Sequence, residues 1–298
     1  MKIGFIGLGV MGGPMATNLA KDGRFEVTGF DLDSDKVSNL ATAGGCAASS
    51  VREAATDRDV VMTSLPGPKQ IEQVAFDSGL IDSLVSDSCW IDLSTNNQST
   101  RRKLVDAVHS HGASFLDAPV SGGDEGARAG TLTILAGGDR EVFERCLPVF
   151  EVIGANINHL GSHGAGYAAK IAQVVLCYLH SLALGEAMML GVKGGVAPAK
   201  MLDIIQNSTG KSYVSDRYGP PIVNGDYDPS FTVGLAHKDM RLANEMASDL
   251  GIDLPMCELT TKTYARAIEE FGFDANHLKA VRLLEDDHQT YLQQPNSE

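Results

Sequence analysis

The chain has 298 residues, enough for two domains. Its 43% hydrophobic and 21% charged residues are ordinary for a globular protein. A formal net charge of -14 repels nucleic-acid backbones and anionic membrane surfaces, so neither partner is expected.

Lys2 precedes an apolar run, but Gly4, Gly7, Gly9, Gly12, Gly13 and Pro14 break any signal-peptide helix. Strands are predicted at residues 3–6, 26–30, 60–65, 89–93, 114–118 and 131–135, with a helix at 12–21. Short apolar strands alternating with helical segments predict an α/β Rossmann domain, a mainly parallel doubly wound sheet covered on both faces. After Gly161 the pattern becomes helical: one long helix over 165–192, then helices at 198–206, 229–250, 255–270 and 275–291. The polar residues Gln173, His180 and Glu186 make the apolar part of the long helix a buried helix rather than a membrane span. Residues 208–228, rich in Gly, Pro, Asn and Asp, read as a long ordered loop, and 293–298 as a disordered tail. The predicted domains are 1–162, α/β, and 163–292, all-helical and opening with the linking helix. Cys46, Cys89, Cys146, Cys177 and Cys257 are odd in number, widely spaced and without a CxxC pair. They read as free thiols of a cytoplasmic protein with no metal site.

Gly7-Leu8-Gly9-Val10-Met11-Gly12 is a GxGxxG sequence that follows a strand and opens a helix. In that context Gly7 permits the tight turn, Gly9 lets the backbone approach a pyrophosphate, and Gly12 lets helix and strand pack closely. Asp31 ends the second strand, where a carboxylate accepts ribose hydroxyls and repels a 2′-phosphate. Asp33 and Asp35 add to that repulsion, and the first cation after Asp31 is Lys36. NAD is the expected cofactor. The bland alternatives are a ligand-free glycine turn and an Asp31 that only shapes its own turn.

Three further motifs follow in order: Asp117-Ala118-Pro119-Val120-Ser121-Gly122-Gly123; Gly161-Ser162-His163-Gly164-Ala165-Gly166 ahead of Lys170; and His237-Lys238-Asp239 ahead of Leu242-Ala243. With the glycine loop they make a chain that resembles the β-hydroxyacid dehydrogenase family, of the 3-hydroxyisobutyrate dehydrogenase-like kind. The resemblance spans nearly the whole sequence. It implies a Rossmann domain, a long linking helix, a C-terminal domain like that of 6-phosphogluconate dehydrogenase, and a homodimer or homotetramer. It also implies that Ser121, Gly122 and Gly123 hold the carboxylate of a small substrate, as a hydroxyl beside consecutive backbone N–H groups can. Lys170 maps onto the family's general acid/base. A free lysine titrates at about 10.4, so this role needs burial, a cationic neighbour or alkaline pH. The family usually places Asn one turn later. Val174 stands there, and Gln173, which shares a face with Lys170, is the candidate substitute for holding substrate. Lys238 resembles a lysine that reaches the cofactor and substrate, and Leu65, Pro66 and Thr95 resemble positions lining the nicotinamide. Tyr213 falls in the family's substrate-lining loop, where Lys211 or Arg217 is either a second anion contact or a solvated cation.

The reaction implied is NAD-dependent oxidation of a short β-hydroxycarboxylic acid to its semialdehyde. Two alternatives stay open: a reductase of the tartronate semialdehyde or 2-formylglutarate type using NADH, and a non-catalytic NAD-binding module.

Overall fold

Side-chain alternation builds the sheet. The computed structural model describes residues 1–293. In chain order the first part runs β1 (Lys2–Ile6), α1 (Gly12–Lys21), β2 (Glu26–Phe30), α2 (Ser34–Thr42), β3 (Cys46–Ala47), α3 (Val51–Ala55), β4 (Val60–Thr63), α4 (Pro68–Glu72) and α5 (Leu80–Ser83). It continues with β5 (Cys89–Asp92), α6 (Gln98–Ser110), β6 (Ser114–Asp117), β7 (Val120–Ser121), α7 (Gly123–Ala129), β8 (Leu132–Gly138), α8 (Arg140–Ile153) and β9 (Gly154–His159). Ile3, Phe5, Val60, Met62, Cys89, Ile91 and Leu116 point into one buried cluster, while Ile6, Val61, Trp90 and Phe115 point into another. Each strand thus alternates between two apolar layers, as a sheet covered on both faces requires.

The strand order is β3-β2-β1-β4-β5-β6-β8-β7, with β9 beside β8. Neighbours from β3 through β6 are parallel; β8 runs antiparallel to β6 and β7, and β9 parallel to β8. The sheet reverses direction of winding between β1 and β4, which places a crevice at their carboxyl ends. The parallel-dominant Rossmann architecture expected from the sequence is what the structure has. Three strands escaped the pattern. β3 and β7 have two residues each, and β9 sets Ile157, packed against the first cluster, between Asn156 and Asn158.

The chain divides into two compact units, Met1–Lys170 and Ile171–Glu298. Helix α9 (Ala165–Lys193) runs through the division. By length and composition it is apolar enough to cross a bilayer, with mean hydropathy 1.5 over an 18-residue stretch of which 39% is buried. The burial expected of this helix is met only in part: Leu176 and Leu190 are 50% and 79% exposed. Gln173, His180 and Glu186 are exposed too.

The second unit continues with α10 (Pro198–Gln206), α11 (Tyr213–Arg217), α12 (Gly219–Asn224), α13 (Val233–Leu250), α14 (Pro255–Phe271) and α15 (Lys279–His288). The predicted loop 208–228 holds two short helices. Ser212 and Ser215 form a capping box that starts α11, and prolines fall in the first turn of α12. Helix α13 begins at Val233 rather than 229 because Thr232 caps it, its side chain accepting from Leu235 N–H. Helix α15 begins at 279 rather than 275. The Ala275 carbonyl is taken by Val233 N–H at 2.8 Å and His277 N–H is given to Phe231 O at 3.0 Å, so the backbone there is not free to coil. Of the expected tail, Gln293 is ordered by its amide, which donates to the Tyr227 hydroxyl at 3.0 Å. Residues 294–298 lie outside the described residues.

Candidate active site

The glycine loop joins β1 to α1 at the crevice. Gly7 has φ +91°, a left-handed conformation that favours glycine. A Cβ on Gly12 would meet Gly7 O at 1.9 Å, so loop and helix pack backbone to backbone. A Cβ on Gly9 would meet nothing within 4 Å among the described residues, leaving that backbone bare on its outer side. Among the described residues no side chain caps the N-terminus of α1. A helix start beside a bare glycine suits a diphosphate, whose charge complements the helix dipole. Leu8 is buried, Met11 half-buried and Val10 exposed.

Asp31 is drawn to this loop. Its Oδ2 accepts Leu8 N–H at 2.7 Å and its Oδ1 accepts Asp33 N–H at 2.9 Å, with 14% of the side chain exposed. The remaining lone pairs are available to ribose hydroxyls. Lys36 Nζ comes within 3.8 Å of Asp31 and 3.5 Å of Asp33, so a cation stands closer than its place in the sequence suggests. Replacing Asp31 with Asn keeps the shape and removes the charge. Hydrogen bonds to a charged group contribute about 1.5–3 kcal/mol, so the NAD KM of Asp31→Asn should rise about 10–100-fold. The gap between NAD and NADP should narrow. Initial rates with both cofactors decide this, and an unchanged NAD KM would dismiss Asp31 as a ribose acceptor.

Leu65 and Pro66 follow β4, and Thr95 follows β5, all beyond strand carboxyl ends. Leu65 N–H donates to Ser94 Oγ at 2.9 Å, tying the two loops together. Leu65 and Thr95 are half-buried and Pro66 is exposed. Ser121 ends β7, and the turn after it has φ +136° at Gly122 and +66° at Gly123. Both glycines are exposed, and a Cβ on Gly123 would meet nothing within 4 Å. A hydroxyl beside consecutive glycine N–H groups can form a concavity for an anion.

Lys170 is half-buried on the second turn of α9. The start of that helix is tied to the sheet by two buried carboxylates that the motif reading left without a role. Asp117 accepts Gly164 N–H at 2.7 Å and Tyr167 N–H at 3.1 Å. Burial pushes its carboxyl up to about 6, against the pull of the backbone N–H groups of Gly164, Tyr167 and Gly166. Asp92 accepts the Tyr167 hydroxyl at 2.5 Å. Burial and the charges of Asp92 and Asp117 raise the Tyr167 phenol well above its ordinary value, so it remains a donor. The sequence signal was present: both aspartates close apolar strands, where a carboxylate has no packing reason to be.

The structure therefore brings Gly7–Gly12, Asp31 and Leu65 together around the crevice, and joins Lys170 to the strand that leads to Ser121. Gln173 and Lys238 lie in the second unit. Gln173 is exposed, while Val174 is buried among Tyr178, Val233 and Met240. Lys238 Nζ pairs with Asp239 Oδ1 at 2.8 Å, and Asp239 Oδ2 accepts the Tyr178 hydroxyl at 2.8 Å. Lys211 pairs with Asp216 at 3.3 Å, and Arg217 lies 4.0 Å from buried Asp228. Tyr213 is 69% exposed.

Residues 2–161 match the family described as the NAD binding domain of 6-phosphogluconate dehydrogenase. Residues 164–284 match the family described as NAD-binding of NADP-dependent 3-hydroxyisobutyrate dehydrogenase. The chain is 39% identical to 2-(hydroxymethyl)glutarate dehydrogenase of Eubacterium barkeri, over 89% of this chain and 88% of that protein. It is 37% identical to the NAD-dependent L-serine dehydrogenase of Pseudomonas aeruginosa, over 96% and 98%. The solved structure of Mycobacterium tuberculosis 3-hydroxyisobutyrate dehydrogenase with L-serine aligns with TM-score 0.86 at 32% identity, covering 95% of this chain and 98% of that one. Fold, glycine loop and these likenesses together define an NAD-dependent oxidoreductase. The chain belongs to the β-hydroxyacid dehydrogenase family. The NADP in one description concerns the second unit, whereas the end of β2, where such folds choose between the two cofactors, carries Asp31.

Proposed function

We propose that the chain oxidises a short β-hydroxycarboxylic acid to its semialdehyde, with Lys170 as proton acceptor. The observation that carries this is the single stretch joining the two reacting parts. Asp117 holds the first turn of the helix bearing Lys170, and four residues further on the same chain becomes the Ser121-Gly122-Gly123 turn. Bound NAD supplies the hydride acceptor. Ser121, Gly122 and Gly123 hold the substrate carboxylate, which fixes the β-carbon in orientation. Lys170 Nζ, as the neutral amine, takes the hydroxyl proton while the C–H bond gives up its hydrogen with both electrons. The products are the aldehyde, NADH and a protonated Lys170. Gln173, one turn beyond Lys170, supplies the amide that Val174 cannot.

The relatives' substrates support the class. 2-(Hydroxymethyl)glutarate and L-serine share a primary hydroxyl on the β-carbon of a carboxylate. Reduction of the semialdehyde uses the same groups in reverse, Lys170 then returning the proton. Five free cysteines fit a cytoplasmic location. The exposed apolar residues Leu176 and Leu190 of α9 fit a homodimer or homotetramer.

The test is a substrate screen. Purified chain is given NAD with 3-hydroxyisobutyrate, L-serine, glycerate and 2-(hydroxymethyl)glutarate, and NADH absorbance is followed. At least one acid should turn over, faster with NAD than with NADP. Thermal stabilisation by NAD without turnover of any acid, or of the matching semialdehydes with NADH, would leave a binding module instead.

A further inference from the structure

Asp92 and Asp117 are register partners at the carboxyl ends of β5 and β6, and neither has exposed surface. Holding ionised carboxylates out of water is costly unless their lone pairs are filled. Here they are filled. Asp92 Oδ1 takes the Thr63 hydroxyl at 2.9 Å and Ser94 N–H at 3.0 Å, and Thr63 Oγ1 in turn accepts Trp90 Nε1–H at 2.9 Å. The other Asp92 oxygen takes the Tyr167 hydroxyl, and both Asp117 oxygens take N–H groups from 164–167. Besides Thr63, Ser94 and the Asn96 amide, which donate to Asp92, the donors to these two carboxylates come from the start of α9.

The approach is close. A Cβ on Gly166 would meet Leu135 O at 2.2 Å and Asp117 O at 2.3 Å, so the helix backbone rests directly on β6 and β8. From the other side the Gln98 amide donates to Gly164 O at 3.1 Å. Apolar packing alone would attach a helix at lower cost but would let it slide or rotate. Directional bonds to two adjacent strand ends do not. Lys170 follows Gly166 by four residues and Tyr167 by three, within one turn of this anchor.

We propose that Asp117 and the Asp92–Tyr167 pair are positioning residues for the reaction: they lock the first turn of α9 and so set where Lys170 Nζ stands relative to the Ser121–Gly123 turn. This rests on the reading of Lys170 as proton acceptor given above. Asp117 serves both ends at once, since it bonds the helix and lies on the segment that delivers Ser121.

Tyr167→Phe removes one hydroxyl and leaves the packing intact. Asp117→Asn keeps the volume but replaces one acceptor with a donor facing an N–H. Both are assayed as full chains for kcat, both Michaelis constants, the D₂O solvent isotope effect on kcat, and Tm. Misplacing the base slows proton transfer alone, so Tyr167→Phe should lose about tenfold in kcat. Its solvent isotope effect should rise, and both Michaelis constants should stay within twofold. Asp117→Asn should change in the same direction and further; if it fails to fold, Tyr167→Phe decides. A Tyr167→Phe kcat within twofold of wild type overturns the proposal. A fall with no gain in isotope effect and altered Michaelis constants overturns it too, since that marks general disruption. Lys170→Ala, run alongside, separates the two claims. If it is inactive while Tyr167→Phe is normal, only the positioning fails; if it turns over normally, the proton-acceptor reading fails and the positioning with it.

Discussion

Lys170→Ala should lower kcat by roughly 10²–10⁴-fold, the range that a positioned general base contributes. The change is confined to chemistry for two reasons. Alanine is the best helix former, so α9 keeps its second turn. The glycine loop and Asp31 lie on other elements, so the dissociation constant for NADH should hold within a few-fold. Lys170→Arg is the sharper variant. It keeps the positive charge and the long stem, but a guanidinium does not give up its proton in proteins and cannot accept one from substrate. If the ammonium charge of Lys170 merely attracted the carboxylate, arginine would restore turnover. If the lysine is the base, Lys170→Arg should be as slow as Lys170→Ala. Turnover of Lys170→Ala near that of wild type would remove Lys170 from the mechanism.

The parts of this protein legible in its sequence are those made by local pattern. Strands such as Val60-Val61-Met62-Thr63 are buried at every position because both faces are covered, and their apolar runs read directly. The glycine loop read well because its mechanism demands glycine at fixed offsets. Cys46-Ala47 did not read as a strand, since two exposed residues gain their geometry only from pairing to Thr28 and Gly29. Predicted helix starts at 229 and 275 ran early because the segments 231–233 and 275–277 bond to each other, which no local propensity encodes. The anchor of α9 was hidden for the same reason. Asp92 and Tyr167 are 75 residues apart, and Asp117 and Gly164 are 47. A lone aspartate at a strand end gives no sign of which distant N–H it will meet. The displacement of the family's asparagine by Val174 was visible, but its packing with Tyr178, Val233 and Met240 required the fold.

Gly9→Ala and Gly12→Ala should both disable the cofactor loop, by different routes. At Gly12 the added methyl meets Gly7 O at 1.9 Å, and both partners are backbone, so loop or helix must move. Overpacking of that kind costs about 1–3 kcal/mol. Tm should therefore fall in the absence of cofactor, and NAD binding should weaken because the turn is deformed. At Gly9 the methyl meets nothing within 4 Å, and the residue has no positive φ to strain, so Tm without cofactor should match wild type. What that methyl occupies is the approach to the bare backbone. Holding a diphosphate off by a carbon atom's width forfeits one or more charge-assisted bonds of about 1.5–3 kcal/mol each, so NAD should bind at least about tenfold more weakly. Thermal scans with and without NAD, with titration by NADH fluorescence, separate the two. Gly9→Ala with normal stability and normal NAD affinity would mean that the cofactor does not approach there. Stability kept while affinity is lost identifies the open face at Gly9 as one that a ligand, and not the protein, is meant to fill.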